Sequence, residues 1–182
     1  MLVQDFTLYD VICRNAQCHA DREAIVFNDV RLTYSQFKDR CDQLAAGLVK
    51  LGVEKGDRLG IVAHNCDEFM ILYGAAAKIG AILLPVNWRF QQNEVEYVLN
   101  DATPKFVFAG PEYQKTVKEI AGKVDTIERC YTIGGGDVPT GFTPLKRYIL
   151  KRVLMRSSLF RRTRDLSLFI RPQSPENRGA PC

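Results

Sequence analysis

Residues 69–86 run for 18 positions with a single charge, Lys78. A stretch that long and apolar is either a membrane span or two buried elements joined by a break. Gly80 and Pro85 punctuate it where a helix would stop and a strand would close. The run therefore reads as a buried helix to Ile79, a turn at Gly80 and a buried strand over 81–86. Elements buried on every side suit a parallel sheet with helices on both faces.

The flanking residues extend that pattern. Residues 58–63 (RLGIVA), 105–109 (KFVFA) and 129–133 (RCYTI) are short apolar runs of strand type. Between them, Val95, Val98 and Leu99 share one face of a helical stretch beginning at Asn93, and residues 112–122 form another helix. Upstream, Phe37, Cys41, Leu44, Ala45, Leu48 and Leu51 recur at helical spacing, and Gly52 stands where a left-handed cap is expected. Residues 23–27 and 30–33 flank the turn pair Asn28-Asp29 and read as a β-hairpin. Thr7 and Asp10 have capping-box spacing ahead of a helix whose Leu8, Val11 and Ile12 share a face. The fold class expected is α/β, a Rossmann-like parallel βα sheet subdomain preceded by a helix and a β-hairpin. The sheet is expected to be incomplete, with an edge and one apolar face open.

With 46% hydrophobic and 25% charged residues, wholesale disorder is excluded. The net charge of +4 hides a break. Residues 1–144 hold 15 Lys and Arg against 19 Asp and Glu, a net of −4, while residues 145–182 hold 10 against two, a net of +8. The chain divides accordingly into 1–144, an α/β segment, and 145–182, a basic tail. Six cysteines show no paired spacing for zinc, and no basic region followed by an apolar run opens the chain. Reduced thiols and a cytoplasmic location are the expectation, with no transmembrane segment.

Local chemistry is thin. Gly134-Gly135-Gly136 is not followed by the Lys and Ser/Thr of a phosphate loop and reads as a flexible turn. The nearness of His64 and Cys66 in sequence does not argue a catalytic pair, because such partners meet in space rather than along the chain, and His64 reads as a turn residue. Asp67 and Glu68 suit the first turn of the following helix, where carboxylates face the positive end of its dipole. No catalytic residue and no metal ligand is assigned.

Ordered motifs carry a resemblance. Leu32-Thr33-Tyr34-Ser35-Gln36-Phe37 is followed by Ala45-Ala46-Gly47-Leu48, Leu51-Gly52-Val53 and Gly56-Asp57-Arg58-Leu59. Asn65 with Glu68-Phe69, Lys78-Ile79-Gly80-Ala81 through Pro85-Val86-Asn87, and Asn87-Trp88-Arg89-Phe90 with Glu94 and Tyr97-Val98-Leu99 complete the series. In order and spacing, residues from about 7 to 144 resemble the N-terminal part of the AMP-binding adenylate-forming enzymes, the acyl-CoA synthetases or acid–thiol ligases. The resemblance implies an ATP-dependent, AMP-forming reaction: a carboxylic or fatty acid becomes an acyl-adenylate, and coenzyme A then displaces AMP. ATP, Mg²⁺ and coenzyme A are the implied cofactors. The family's phosphate loop and catalytic lysine lie beyond the matched portion, so the chain is expected to be truncated, inactive alone and unable to hold these cofactors tightly. Arg89 is the residue carried over, as a contact for a coenzyme A phosphate. Its competing roles are pairing with Glu94 or a carbonyl, and packing beside Trp88 and Phe90.

The tail matches nothing in that family and reads as out of frame or disordered. Displacing the reading frame by one base lets the codons of Ile170 to Cys182 encode H-T-A-A-V-A-G-K-P-R-G-A-L. That is similar to the family's phosphate loop, and it follows an apolar run permitted over Leu166 to Phe169. The alternative is a non-catalytic partner or regulatory module whose basic tail binds anionic lipid or nucleic acid, nucleic acid not being favoured. Association with an intact synthetase through the open sheet edge is a further expectation.

Overall fold

The computed structural model describes residues 6–149; the greater part of the basic tail expected over 145–182 lies outside the described residues. Chain order is α1 (Leu8–Cys18), β1 (Glu23–Phe27), β2 (Val30–Thr33), α2 (Tyr34–Lys50), β3 (Arg58–Val62), α3 (Asp67–Ile79), β4 (Ile82–Pro85), α4 (Gln92–Ala102), β5 (Phe106–Ala109), α5 (Gln114–Ala121), β6 (Arg129–Thr132), β7 (Phe142–Pro144) and α6 (Lys146–Ile149). β1 and β2 form the antiparallel hairpin, and the other five strands form one parallel sheet in the order β4-β3-β5-β6-β7.

Helix ends follow their residues. Thr7 caps α1 in a box with Asp10, and Thr33 caps α2 in a box with Gln36, so the first free N–H groups of each helix are satisfied by side chains. Gly80 ends α3 with φ 73°, the left-handed conformation that costs glycine least. The apolar run is thus a helix and a strand, and among the described residues no helix is long and apolar enough to cross a membrane.

Alternation along each strand sends side chains to two cores. Leu59, Ile61, Phe106, Phe108, Tyr131 and Ile133 pack with α2 and α3 on one face. Val62, Val107, Ala109 and Cys130 pack with α4 and α5 on the other. Each fully buried large side chain contributes roughly 1.5–3 kcal/mol of transfer free energy. Packing on the first face is tight: a Cβ on Gly74 would strike the Cys41 sulfur and come within 2.8 Å of Ile12 Cδ1. α6 joins the same core, where Leu145 and Ile149 are buried and Tyr148 lies against Gly47 of α2.

Four readings change. Leu8 and Val11 are exposed, so α1 buries only Ile12 of its apolar face. β4 is an edge strand rather than a buried one, and Ile82 is 54% exposed. Ile82 and Val86 donate to Asp57 and Ile61 carbonyls, so by the strand's period of two the nitrogen of Pro85 faces away from β3. Proline has no N–H to waste there, which blunts the edge. The sheet face expected to be open is covered across β3, β5 and β6. Last, β7 adds a strand beyond those the sequence pattern predicts. Three residues carry too little periodicity, and its connection from β6 is a glycine-rich crossover (Gly134, Gly135 and Gly136 all at positive φ) without a helix.

Candidate functional site

The chain leaves β3 toward one side to form β4, then crosses back to lay β5 on the other side of β3. The loops at the carboxyl ends of β3 and β5 therefore diverge. In open parallel sheets the crevice at such a reversal is where ligands bind. A cleft of about 180 Å³ lies there, between residues 63–66 after β3, 110–112 after β5 and Gly134 after β6, with the hairpin residues Phe27 and Asn28 at its rim.

Beside this cleft an aromatic cluster gathers from three loops. The Trp88 ring lies 4.4 Å from that of His64, and the Tyr113 hydroxyl is 3.1 Å from His64 Nε2. The Arg89 guanidinium sits 4.6 Å from the centre of the Trp88 ring. Asn87 shapes this loop: its side-chain oxygen accepts from the Arg89 N–H at 3.0 Å and its carbonyl from Phe90 at 3.0 Å. Glu94, one partner considered for Arg89, instead accepts from the Gln91 N–H at 2.7 Å and caps α4. Arg89 remains exposed with its charge at the carboxyl edge.

Cys66 and His64 do not form a nucleophile pair. Cys66 is buried at the start of α3, and burial pushes its thiol up to about 11, away from the thiolate. His64 is exposed and turned to Trp88 and Tyr113. Among the described residues no three His, Cys, Asp or Glu side chains converge to hold a metal ion.

A second cleft, of about 260 Å³, opens near β6 and β7, lined by Glu68, Thr132, Gly135, Gly136, Pro144 and Lys146. Glu68 is 2% exposed. One carboxylate oxygen accepts the Gly134 N–H; the other is buried without a hydrogen-bond partner among the described residues. Burial pushes this carboxyl above the usual range, partly offset by the Gly134 N–H and the Lys146 charge. The glycine loop thus holds an internal carboxylate. Sequence reading placed Glu68 in the first helical turn; its burial depends on β6 and the loop after it, which local pattern does not reveal.

A model of the AMP-binding enzyme family matches residues 12–148. Acyl-CoA ligase sidI of Aspergillus fumigatus is 33% identical over 123 residues, covering 66% of this chain and 21% of its own length. Human mitochondrial medium-chain acyl-CoA ligase ACSF2 is 37% identical over 120 residues, covering 62% of this chain and 20% of its own. A crystal structure assigned as a long-chain-fatty-acid CoA ligase from Rhodopseudomonas palustris superposes with a TM-score of 0.76 at 41% identity, covering 81% of this chain and 37% of that one. The chain spans about a fifth of the length of these curated relatives.

Proposed function

This chain belongs to the AMP-binding enzyme family, and we propose that it supplies the N-terminal α/β portion of an ATP-dependent, AMP-forming acyl-CoA ligase acting on a carboxylic or fatty acid. The observation that carries the reading is the family match over 12–148 on a doubly wound sheet of the same fold. Within the described residues one group suits a substrate. Arg89 offers an exposed planar cation at the carboxyl edge, and a guanidinium binds phosphate oxygens in pairs. This fits a coenzyme A phosphate.

The described residues do not fit Mg²⁺-ATP. They bring together no metal-binding set, and the Gly134 N–H of the one glycine cluster is taken by Glu68. The 182-residue chain alone is therefore proposed to be inactive in adenylation. Exchange of labelled pyrophosphate into ATP, run with a panel of carboxylic acids, checks this, and exchange above the blank refutes it. A cytoplasmic location and pairing with an intact synthetase are part of the same proposal; co-purification of a full-length ligase with the tagged chain tests the pairing.

The division into 1–144 and a basic tail is proposed to reflect a lost reading frame. The coding DNA is expected to carry a one-base shift between about codons 144 and 165, and a stop codon of the shifted frame within that span would end the idea. A second reading rests on the +8 charge of the tail: a regulatory module binding anionic lipid or nucleic acid. It requires salt-sensitive binding to anionic vesicles or DNA that disappears when residues 145–182 are deleted.

A further inference from the structure

His64 follows β3, Trp88 and Arg89 follow β4, and Tyr113 follows β5, so three separate loops meet in one exposed cluster on both sides of the strand-order reversal. Burial is not what draws them together: His64 and Arg89 are exposed and Trp88 is 40% exposed. An exposed arginine loses rotamer freedom when it clasps an anion. Resting on an indole face removes part of that freedom beforehand, since the ring quadrupole attracts the cation. The benefit exists only if the indole is itself held. The His64 ring supplies a contact at 4.4 Å and 53°, and the Tyr113 hydroxyl at 3.1 Å fixes the rotation of that ring.

We propose that His64 and Tyr113 are positioning residues that clamp Trp88 as the platform for Arg89, presenting its guanidinium preorganised to the nucleotide phosphate of the acyl-accepting thiol. The proposal rests on the reading of Arg89 given above. It adds two residues with no direct contact to the ligand, and it makes Trp88 a structural part of the anion site.

Trp88 is the only tryptophan, so its emission reports this cluster alone in the full 182-residue chain. Acrylamide quenching and anisotropy are measured for wild type, His64→Ala, His64→Phe and Tyr113→Phe. Quenching is expected to rise about twofold in His64→Ala as the ring contact is lost, and to rise less both in Tyr113→Phe and in His64→Phe, which keep an aromatic ring at position 64 but lose the hydrogen bond that fixes it. Coenzyme A is then titrated against the same emission. Arg89→Ala is expected to raise Kd about tenfold by removing a charge-assisted contact, and His64→Ala about threefold through the platform. His64→Phe, which keeps the ring contact without the hydrogen bond, is expected between His64→Ala and wild type.

Equal quenching and anisotropy in wild type, His64→Ala and Tyr113→Phe overturn the clamp, whatever coenzyme A does. A loosened Trp88 with identical titrations of wild type and Arg89→Ala overturns the phosphate reading of Arg89 and with it the presenting role. These two failures are separate results of separate measurements. All the altered side chains except the half-buried Tyr113 are exposed, so the packed cores are left intact.

Discussion

Two carboxylates, Asp42 and Glu68, sit on neighbouring helices and are treated in opposite ways. Asp42, in the middle of α2, accepts from Lys38 at 2.8 Å, from Lys78 at 2.7 Å and from the Tyr9 hydroxyl, joining α1, α2 and α3. Burial pushes its carboxyl upward, but these three bonds outweigh it and hold it below the usual range. Tyr9 is held far above its own ordinary value, by burial first and by Asp42 next. Glu68, at the carboxyl end of the sheet, is more deeply buried and keeps one oxygen without a partner. The first carboxylate is a completed joint between helices. The second is an incompletely partnered group beside a cleft, at the end of the sheet where this architecture places ligands. Burial pushes both carboxyls upward; three hydrogen-bond partners reverse that push at Asp42, whereas one N–H and the Lys146 charge only offset part of it at Glu68.

The largest test of that contrast is Asp42→Asn. It removes the charge shared by Lys38 and Lys78 while keeping the shape. With the side chains 17–30% exposed, solvent screening limits the loss, and a destabilisation of about 1–2 kcal/mol at pH 7 is expected from urea unfolding. The folded pKa lies below the ordinary value of 3.8, so the contribution is present above that value and lost as pH falls through the folded one. The gap between wild type and variant should therefore shrink in acid. A variant as stable as wild type at pH 7 would break the comparison.

Local signals predicted local structure well. Thr33 with Gln36, Gly52, Gly80 and the period of Phe37, Cys41, Leu44 and Leu48 set the ends and inner face of α2 and the stop of α3, because caps and helical faces are decided within a few residues. β7 escaped notice, since Phe142–Pro144 becomes a strand only by pairing with Cys130–Thr132. The site was legible only in part. Arg89 was singled out through the Asn87-Trp88-Arg89 motif. The Tyr113–His64 contact spans 49 positions and the Gly134–Glu68 bond spans 66, so neither leaves a pattern in any window. Pro85 does carry an edge signal in the sequence, since proline inside a strand points to an edge.

A smaller effect of opposite sign is expected at Glu68. Its folded pKa is raised above the ordinary value of 4.5, so the folded state binds more protons than the unfolded one between those values. Wild-type stability should then fall as pH rises through that window, by at most about 1.4 kcal/mol per pH unit for one group. Glu68→Gln can still accept the Gly134 N–H but has no charge to bury, so it should lack this slope. The advantage of the variant over wild type should grow as pH rises above 4.5, whereas the Asp42→Asn deficit changes only below 3.8 and is constant over this range. Parallel stability curves for wild type and Glu68→Gln between pH 4 and 8 would show that Glu68 is compensated after all.

The smallest effect belongs to Lys146, whose charge lowers the Glu68 pKa from across the second cleft. Lys146 is exposed, so water and salt screen it. Lys146→Ala should move the Glu68-dependent part of the stability curve to higher pH and cost about 0.3 kcal/mol near neutrality. Because the coupling is electrostatic through a solvent-facing group, it should vanish in roughly 1 M salt, where screening acts over about 3 Å. The same substitution made in Glu68→Gln should have no pH-dependent effect. A double-mutant cycle separates the two cases. If Lys146→Ala shifts the curve equally with and without the carboxylate, the lysine acts through the packing of α6 rather than through charge, and Glu68 is the more isolated of the two carboxylates by a wider margin.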